Sequence, residues 1–260
     1  MIFNQLRLVN ILENGFWTFF LALSMLVSVS LHGQTPKTAK LLDFSYGFQA
    51  PLGDMQDRFG GSNILGSGLE TINNKSRQFW GIDGGFFFGN NVKEDVLTQL
   101  RSADGNIIGI NGQTGDVSLK ERGYFIGLHA GKIFSTTDKK SSLSGIRTQF
   151  GIGFMQHKIR VQDNQKNIVP LNKEYLQGYD RLTNGPSIRL ALGYQYDSPY
   201  NNFHFKIMGD MMAARTQSRR DLDYATGTYL DKKRTDILMG IHIAYVVIIS
   251  RTSTEENIYY

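Results

Sequence analysis

Small, polar and charged side chains occupy every second position of several apolar segments in this 260-residue chain. Around Arg189 the sequence is Ser-Ile-Arg-Leu-Ala-Leu-Gly-Tyr, and around Lys206 it is Phe-His-Phe-Lys-Ile-Met-Gly-Asp. This alternation places the charged groups on one face of a strand. On an enclosed face they must pair, because an isolated buried charge costs several kcal/mol. The predicted interior charge network comprises Asp43, Asp83, Arg147, Arg189, Lys206, Asp210 and Asp236.

Two functions are open to such a network, a plug of ion pairs or a path for ions. The interior of an eight-stranded barrel is just wide enough for side chains to fill it, which favours the plug. The histidines share the inward phase, but they lie one per strand at different heights, whereas metal ligands must converge within about 2 Å of one ion. Neither a Walker pattern nor a complete dinucleotide fingerprint occurs. We therefore expect no enzyme activity, no cofactor and no metal site at His129, His157, His204 or His242.

The elements that position these groups are predicted to be eight antiparallel strands. Their alternate positions carry apolar and aromatic residues, a pattern typical of transmembrane β-barrel strands with lipid on the outer face. The alternative is a soluble barrel of lipocalin type, in which the apolar phase points inward. The predicted strands are Leu42–Ala50, Asn63–Thr71, Gln78–Gly89, Gly123–Ile133, Ile146–His157, Ser187–Tyr196, Phe203–Ala213 and Thr235–Ile249.

The first 33 residues predict a secretory signal peptide, because Arg7 precedes the apolar run Phe16–Leu31 and Gly33 offers a small residue for cleavage. Residues 34–250 then form the barrel, and residues 251–260 form a periplasmic tail. The chain has no cysteine, which excludes a lipoprotein anchor, a disulfide scaffold and a thiol nucleophile. The formal charge of +5 is spread without a continuous basic face, which favours lipopolysaccharide or an acidic partner over nucleic acid.

Long and short connections alternate along the chain, as in outer-membrane barrels with short periplasmic turns, long extracellular loops and both termini in the periplasm. The long loops are Asn90–Leu119, Gln162–Gly185 and Thr216–Arg234, and the first of them includes a possible short helix at Val92–Leu100. Aromatic and charged residues in such loops are typical of contact surfaces. The candidate partner-contact residues are Tyr175, Tyr179, Asp180 and Arg181.

Five short motifs resemble those of a group of small outer-membrane barrels from Bacteroidota. They are the segments at 48–55 (FQAPLGDM), 89–95 (GNNVKED), 121–124 (ERGY), 156–160 (QHKIR) and 178–185 (GYDRLTNG). The resemblance implies the barrel fold and the outer-membrane location, with no catalytic residue to transfer. A relation to the secretion-associated PorT-like barrels of the same bacteria extends to the fold alone.

The resulting expectation is a non-enzymatic, eight-stranded outer-membrane barrel. Its extracellular loops would bind a protein partner, as a subunit of an assembly, secretion or uptake complex. A small porin is one alternative, and a structural or lipopolysaccharide-binding barrel is another.

Overall fold

The computed structural model describes residues 38–136, 143–165, 168–171, 175–198, 203–229 and 232–251. The predicted signal peptide and all of the predicted C-terminal tail except Arg251 lie outside these residues. The described chain is almost entirely β-structure, with one short helix, three 3-10 turns and ten strands. The helices and strands are β1 (Thr38–Gly53), α1 (Asp54–Arg58), β2 (Ser62–Asn73), β3 (Gln78–Gly89), β4 (Val117–Ser135), β5 (Gly145–Asp163), β6 (Thr183–Asp197), β7 (His204–Ser218), β8 (Leu222–Asp223), β9 (Thr228–Tyr229) and β10 (Lys233–Arg251).

Eight of these strands close into an antiparallel barrel, which confirms the predicted fold class. The order around the barrel is β1-β10-β7-β6-β5-β4-β3-β2. Each barrel strand pairs with the next barrel strand along the chain, and the pairing of β1 with β10 closes the barrel. Phe48 opposite Ile241 is one pair of the closing ladder. Closure leaves no strand edge unpaired, which is the condition for a sheet to lie in lipid. The short strands β8 and β9 form a separate hairpin in the last loop.

The strands are longer than predicted, mainly at the end that carries the long loops. β4 begins at Val117 rather than Gly123, and β5 continues to Asp163 rather than ending at His157. The sequence pattern fails there because outward positions such as Lys120 and Arg160 are polar, while inward positions such as Ile159 and Val161 are apolar. The backbone ladder nevertheless continues, with Val117 opposite Asp163.

The predicted helix at Val92–Leu100 is wrong. Val92 forms a β-bridge with Phe59, and only Thr98–Leu100 makes a single 3-10 turn. The Asp95 carboxylate accepts a hydrogen bond from the Leu97 backbone N–H at 3.1 Å, and the Thr98 hydroxyl donates to the Asp95 carbonyl at 2.7 Å. Such local side-chain bonds compete with helix formation.

The outer face carries a continuous apolar belt around the barrel. Trp80 is 68% exposed and Ile241 is 65% exposed, although both are large apolar side chains. The soluble alternative is excluded, because it requires the apolar phase to point inward. Other exposed members of the belt are Phe44, Tyr46, Phe48, Leu65, Ile126, Leu128, Phe150, Ile152, Leu190, Leu192, Ile207, Met239 and Ile243.

The interior has three layers. Beside the short turns lies an apolar cluster of Ala39, Leu41, Ile72, Phe79, Ile133, Leu143 and Val246. Beside the long loops lies a larger apolar cluster that includes Met55, Phe59, Ile64, Phe87, Phe125, Met155 and Met212. The ion pairs around Glu70 lie between these two clusters, while the buried pairs His157–Asp236 and His204–Asp197 lie at the long-loop and short-turn ends. The inward face thus carries large apolar residues at both ends, whereas the sequence pattern predicted small, polar and charged residues throughout.

Candidate functional site

The charged layer is organised around Glu70, which lies on β2 and is 2% exposed. Arg147 on β5 donates to both carboxylate oxygens, through Nη1 to Oε1 at 3.1 Å and through Nη2 to Oε2. Lys206 on β7 donates through Nζ to Oε1 at 2.9 Å. His129 on β4 places Nε2 3.4 Å from Oε2. One carboxylate therefore ties together four strands of the barrel.

The network continues from Glu70 to two further carboxylates. Lys206 Nζ also donates to Asp43 Oδ2 at 3.0 Å. His129 Nδ1 lies 3.2 Å from Asp83 Oδ1, and Arg189 donates through Nη2 to Asp83 Oδ2. The three carboxylates are thus matched by the three permanent cations Lys206, Arg147 and Arg189, so their formal charges cancel.

Two of the predicted network residues make no ion pair with this network. Asp210 lines the same small cavity but faces His242, with Oδ1 3.3 Å from Nδ1. Asp236 lies near the long-loop end, where its Oδ2 is 2.9 Å from His157 Nε2 and its Oδ1 is 3.4 Å from Arg234 Nε. The spread follows from the strand registers, because residues on one inward phase can still lie at different heights.

Glu70 is the central residue that the sequence analysis missed. Its strand, β2, has the weakest alternation, because Ser67 interrupts the apolar outer face. The residue opposite Ser67 on β3 is Gly84, which is not a large apolar residue either. The alternation of β2 could have identified Glu70 as an inward residue. Leu65 and Leu69 occupy outward positions and are exposed, and Glu70 falls on the opposite face. Without Glu70 the layer would hold two carboxylates, Asp43 and Asp83, against three permanent cations.

Little empty space remains around the network. The cavity there has a volume of about 40 Å³, which holds only one or two water molecules. The Arg147 guanidinium carbon lies 3.5 Å from the centre of the Phe79 ring, and that of Arg189 lies 4.9 Å from the Phe125 ring centre. Each arginine therefore packs against an aromatic ring, Arg147 against Phe79 of the short-turn cluster and Arg189 against Phe125 of the long-loop cluster.

The long loops form a packed cap over the mouth of the barrel. Met55 and Phe59, on and beside α1, are fully buried in the apolar cluster of that end. Arg58 donates through Nε to Glu94 at 2.7 Å and through Nη1 to Thr183 Oγ1 at 3.0 Å. The β1–β2 connection, residues 54–61, thus enters the mouth and is fixed there by ion pairing and burial.

Three of the four candidate partner-contact residues are internal to this cap, which corrects their predicted role. Tyr179, Asp180 and Arg181 are each 7% exposed or less. Arg181 pairs with Glu94 at 3.0 Å and with Asp223. These residues bind other loops, because their charges find partners within the chain.

The remaining contacts of these residues hold the last two loops together. Arg220 donates to Asp180 through two nitrogens at 2.8 and 2.7 Å, and this hydrogen bonding raises the pKa of Arg220. The Tyr179 and Tyr224 rings meet edge to face at 5.6 Å. Burial raises the pKa of Tyr179, and the neighbouring Tyr224 and Asp223 add to the effect.

Only part of the cap surface is apolar and open to solvent. Tyr175, the fourth predicted contact residue, is 49% exposed, while Ile110 is 74% and Tyr229 is 79% exposed. Ile110 lies in a small hairpin, stabilised by the bridge between Ile108 and Thr114. Within the described residues, no three His, Cys, Asp or Glu side chains are grouped so that they could hold a metal ion.

No protein-family model matches the chain, and no curated protein matches it. Solved structures that resemble it include Neisserial surface protein A, at 9% identity and TM-score 0.39, covering 79% of this chain and 96% of that one. The attachment invasion locus protein Ail of Yersinia pestis, solved with a heparin analogue, shows 11% identity and TM-score 0.36, and the match covers 81% of this chain and 99% of Ail. A major outer membrane protein of Thermus thermophilus shows 10% identity and TM-score 0.40, with 80% and 98% covered.

These TM-scores are low, so the fold assignment rests on the closed barrel of this chain itself. Its eight antiparallel strands, apolar outer belt and charged inner layer define a β-barrel of the transmembrane class. The long loops and the short turns lie at opposite ends of that barrel.

Proposed function

We propose that this protein is a non-enzymatic outer-membrane β-barrel with a closed lumen, and that its loop cap binds another protein. The partner would be a further subunit of an assembly, secretion or uptake complex in that membrane. In this proposal residues 1–33 are removed as a signal peptide. Both termini then lie in the periplasm, and the long loops lie at the cell surface.

The membrane placement is supported by the apolar belt. Contiguous exposed apolar surface of this extent is rare on soluble monomers and marks contact with lipid or protein. The belt encircles the barrel, and its aromatic members include Trp80 and Tyr245 towards the short turns and Phe86 and Tyr124 towards the long loops. Aromatic residues at both edges are typical of membrane interfaces.

The closed lumen is supported by the three interior layers. An ion entering from either end would meet an apolar cluster, and the three carboxylates of the central network are held in ion pairs. We expect the purified barrel to give no stable conductance in planar bilayers. A steady current that disappears in the Asp83→Asn variant would instead support the alternative of a small porin.

Partner binding rests on one observation: the cap has its own buried core, yet Ile110 and Tyr229 remain open to solvent. Loops that only shield a barrel mouth have no need of an ordered core with apolar residues on its outer surface. Rigid, exposed aromatic and aliphatic side chains are the usual anchors of protein interfaces.

Affinity capture with site-specific crosslinking tests this proposal in the native membrane. We expect wild-type protein to crosslink to one defined protein, and the I110S/Y229S variant to lose most of that product. The matched control is N111S/Q113S, which changes two exposed polar residues of the same hairpin as Ile110. Recovery of the barrel alone, or an equal loss in both variants, would contradict partner binding through this surface.

A further inference from the structure

Four basic side chains face outward on adjacent strands just beyond the apolar belt. Lys120 on β4 lies opposite Arg160 on β5, and Arg122 lies opposite Lys158. Directly opposed side chains in an antiparallel pair have Cβ atoms only about 5 Å apart, and like charges there are destabilising. The barrel itself gives no reason to place two such pairs next to each other.

The chain supplies almost no negative charge to offset this basic cluster. Lys120 Nζ donates to Gln162 Oε1 at 3.1 Å, and Arg122 Nη1 donates to the carbonyl of Glu121 at 2.6 Å. In the part of the chain that the structure describes, no carboxylate lies within salt-bridge distance of Lys120, Arg122 or Arg160. The Glu121 side chain is fully buried on the inner face.

Among the described residues, Lys158 is the one member of the cluster within salt-bridge distance of a carboxylate. Its Nζ lies 3.8 Å from Asp180 Oδ2. That carboxylate already accepts two hydrogen bonds from Arg220, so its charge is largely offset. The cluster therefore keeps an excess of positive charge on its outer surface.

The position of the cluster identifies the kind of anion that would reach it. Going towards the belt, the next outward pairs on the same two strands are Tyr124 opposite Gln156, then Ile126 opposite Phe154. Phe88 lies opposite Arg122 on β3. The cations thus begin where the aromatic edge of the belt ends, which is the depth of the phosphate groups of membrane lipids.

We propose that Lys120, Arg122, Lys158 and Arg160 form a binding site for the phosphate groups of an anionic lipid headgroup in the leaflet at the long-loop end. The site rests on the membrane placement proposed above. Guanidinium groups bind phosphate through two parallel hydrogen bonds, while lysines add point charges. A headgroup with more than one phosphate spans both opposed pairs and offsets their repulsion.

The test uses the full chain in neutral detergent, with diphosphorylated lipid A as the probe and native mass spectrometry and titration to measure binding. We expect R122Q/K158Q and, separately, K120Q/R160Q to weaken lipid A binding by about tenfold or more, and R122K/K158R to retain it. The matched control is R215Q/K233Q, which removes two exposed cations from the same end of the barrel. It should change the affinity by less than about twofold.

Three results would overturn the site. They are equal losses in the control and cluster variants, undiminished binding of dephosphorylated lipid A, and inorganic phosphate binding as tightly as lipid A. Heat-modifiable gel mobility identifies which variants contain a folded barrel. If one of the two cluster variants fails to fold, the other still tests the site. Extraction of the wild type from membranes by urea would refute the membrane placement itself, which separates that failure from failure of the site.

Discussion

Glu70 is the residue on which the interior of the barrel depends most. It accepts hydrogen bonds from Arg147 and Lys206, and it lies within reach of His129. Removing one partner from a buried ion pair is costly because the other charges stay buried without compensation. Here one change leaves Arg147 buried without a carboxylate partner, while Lys206 keeps only its ion pair with Asp43.

We therefore expect Glu70→Gln to lower the free energy of unfolding by about 3 kcal/mol or more. Denaturant unfolding of the purified barrel in micelles measures it. Asp95→Asn is the control, because Asp95 pairs with Arg101 at a site where both side chains are more than one-third exposed. That change should cost less than about 1 kcal/mol. Similar losses in both variants would show that burial does not distinguish the two pairs.

At the scale of elements, the pairing of β4 with β5 requires a glycine at Gly131, where the Phe79 ring and the backbone of β5 approach closely. A Cβ on Gly131 would lie 2.1 Å from the Thr148 carbonyl oxygen and 2.4 Å from Phe79 Cζ. A Cβ on Gly209, on the outer face of β7, would meet nothing closer than 3.8 Å. The inner glycine is required by a close approach, and the outer one is not.

Gly131→Ala should consequently destabilise the barrel by about 1–3 kcal/mol through overpacking, whereas Gly209→Ala should be nearly neutral. Thermal unfolding followed by heat-modifiable mobility compares the two variants. Equal stability of both would mean that β4 and β5 are less tightly packed than the structure indicates.

The burial of the β1–β2 connection in the barrel mouth is the second feature at this scale. Phe59 of this connection is fully buried, and Tyr229 is exposed on β9. Phe59→Ala should cost about 3–5 kcal/mol, while Tyr229→Ala should cost less than about 0.5 kcal/mol. Limited proteolysis of the loops, with denaturant unfolding, measures both. Unchanged protease resistance in Phe59→Ala would contradict the burial of the β1–β2 connection in the barrel mouth.

The sequence alone predicts those elements whose two faces differ chemically. The eight strands follow from alternation inside the belt, where lipid-facing and inward residues contrast. Beyond the belt the contrast disappears, so the extensions of β4 and β5 and the insertion of α1 could not be predicted. Tyr179, Asp180 and Arg181 resembled a contact surface because their partners, Glu94, Asp223 and Arg220, are distant in sequence.

For the whole molecule, the belt, the filled lumen and the packed cap describe one arrangement. Lipid surrounds the outside, ion pairs and apolar side chains fill the inside, and the loops present a folded surface at one end. The chain contains no cysteine, so single cysteines can report on each end without background. Asp104 is exposed in the cap, away from the proposed anchors Ile110 and Tyr229, and Lys75 is exposed in the turn after β2 at the opposite end.

Labelling of intact cells with a membrane-impermeant maleimide is the most direct test of this arrangement. We expect Asp104→Cys to react on intact cells and Lys75→Cys to react only after the outer membrane is permeabilised. Reaction of both cysteines on intact cells, or of Lys75→Cys alone, would contradict a barrel that spans the outer membrane with its loop cap at the cell surface.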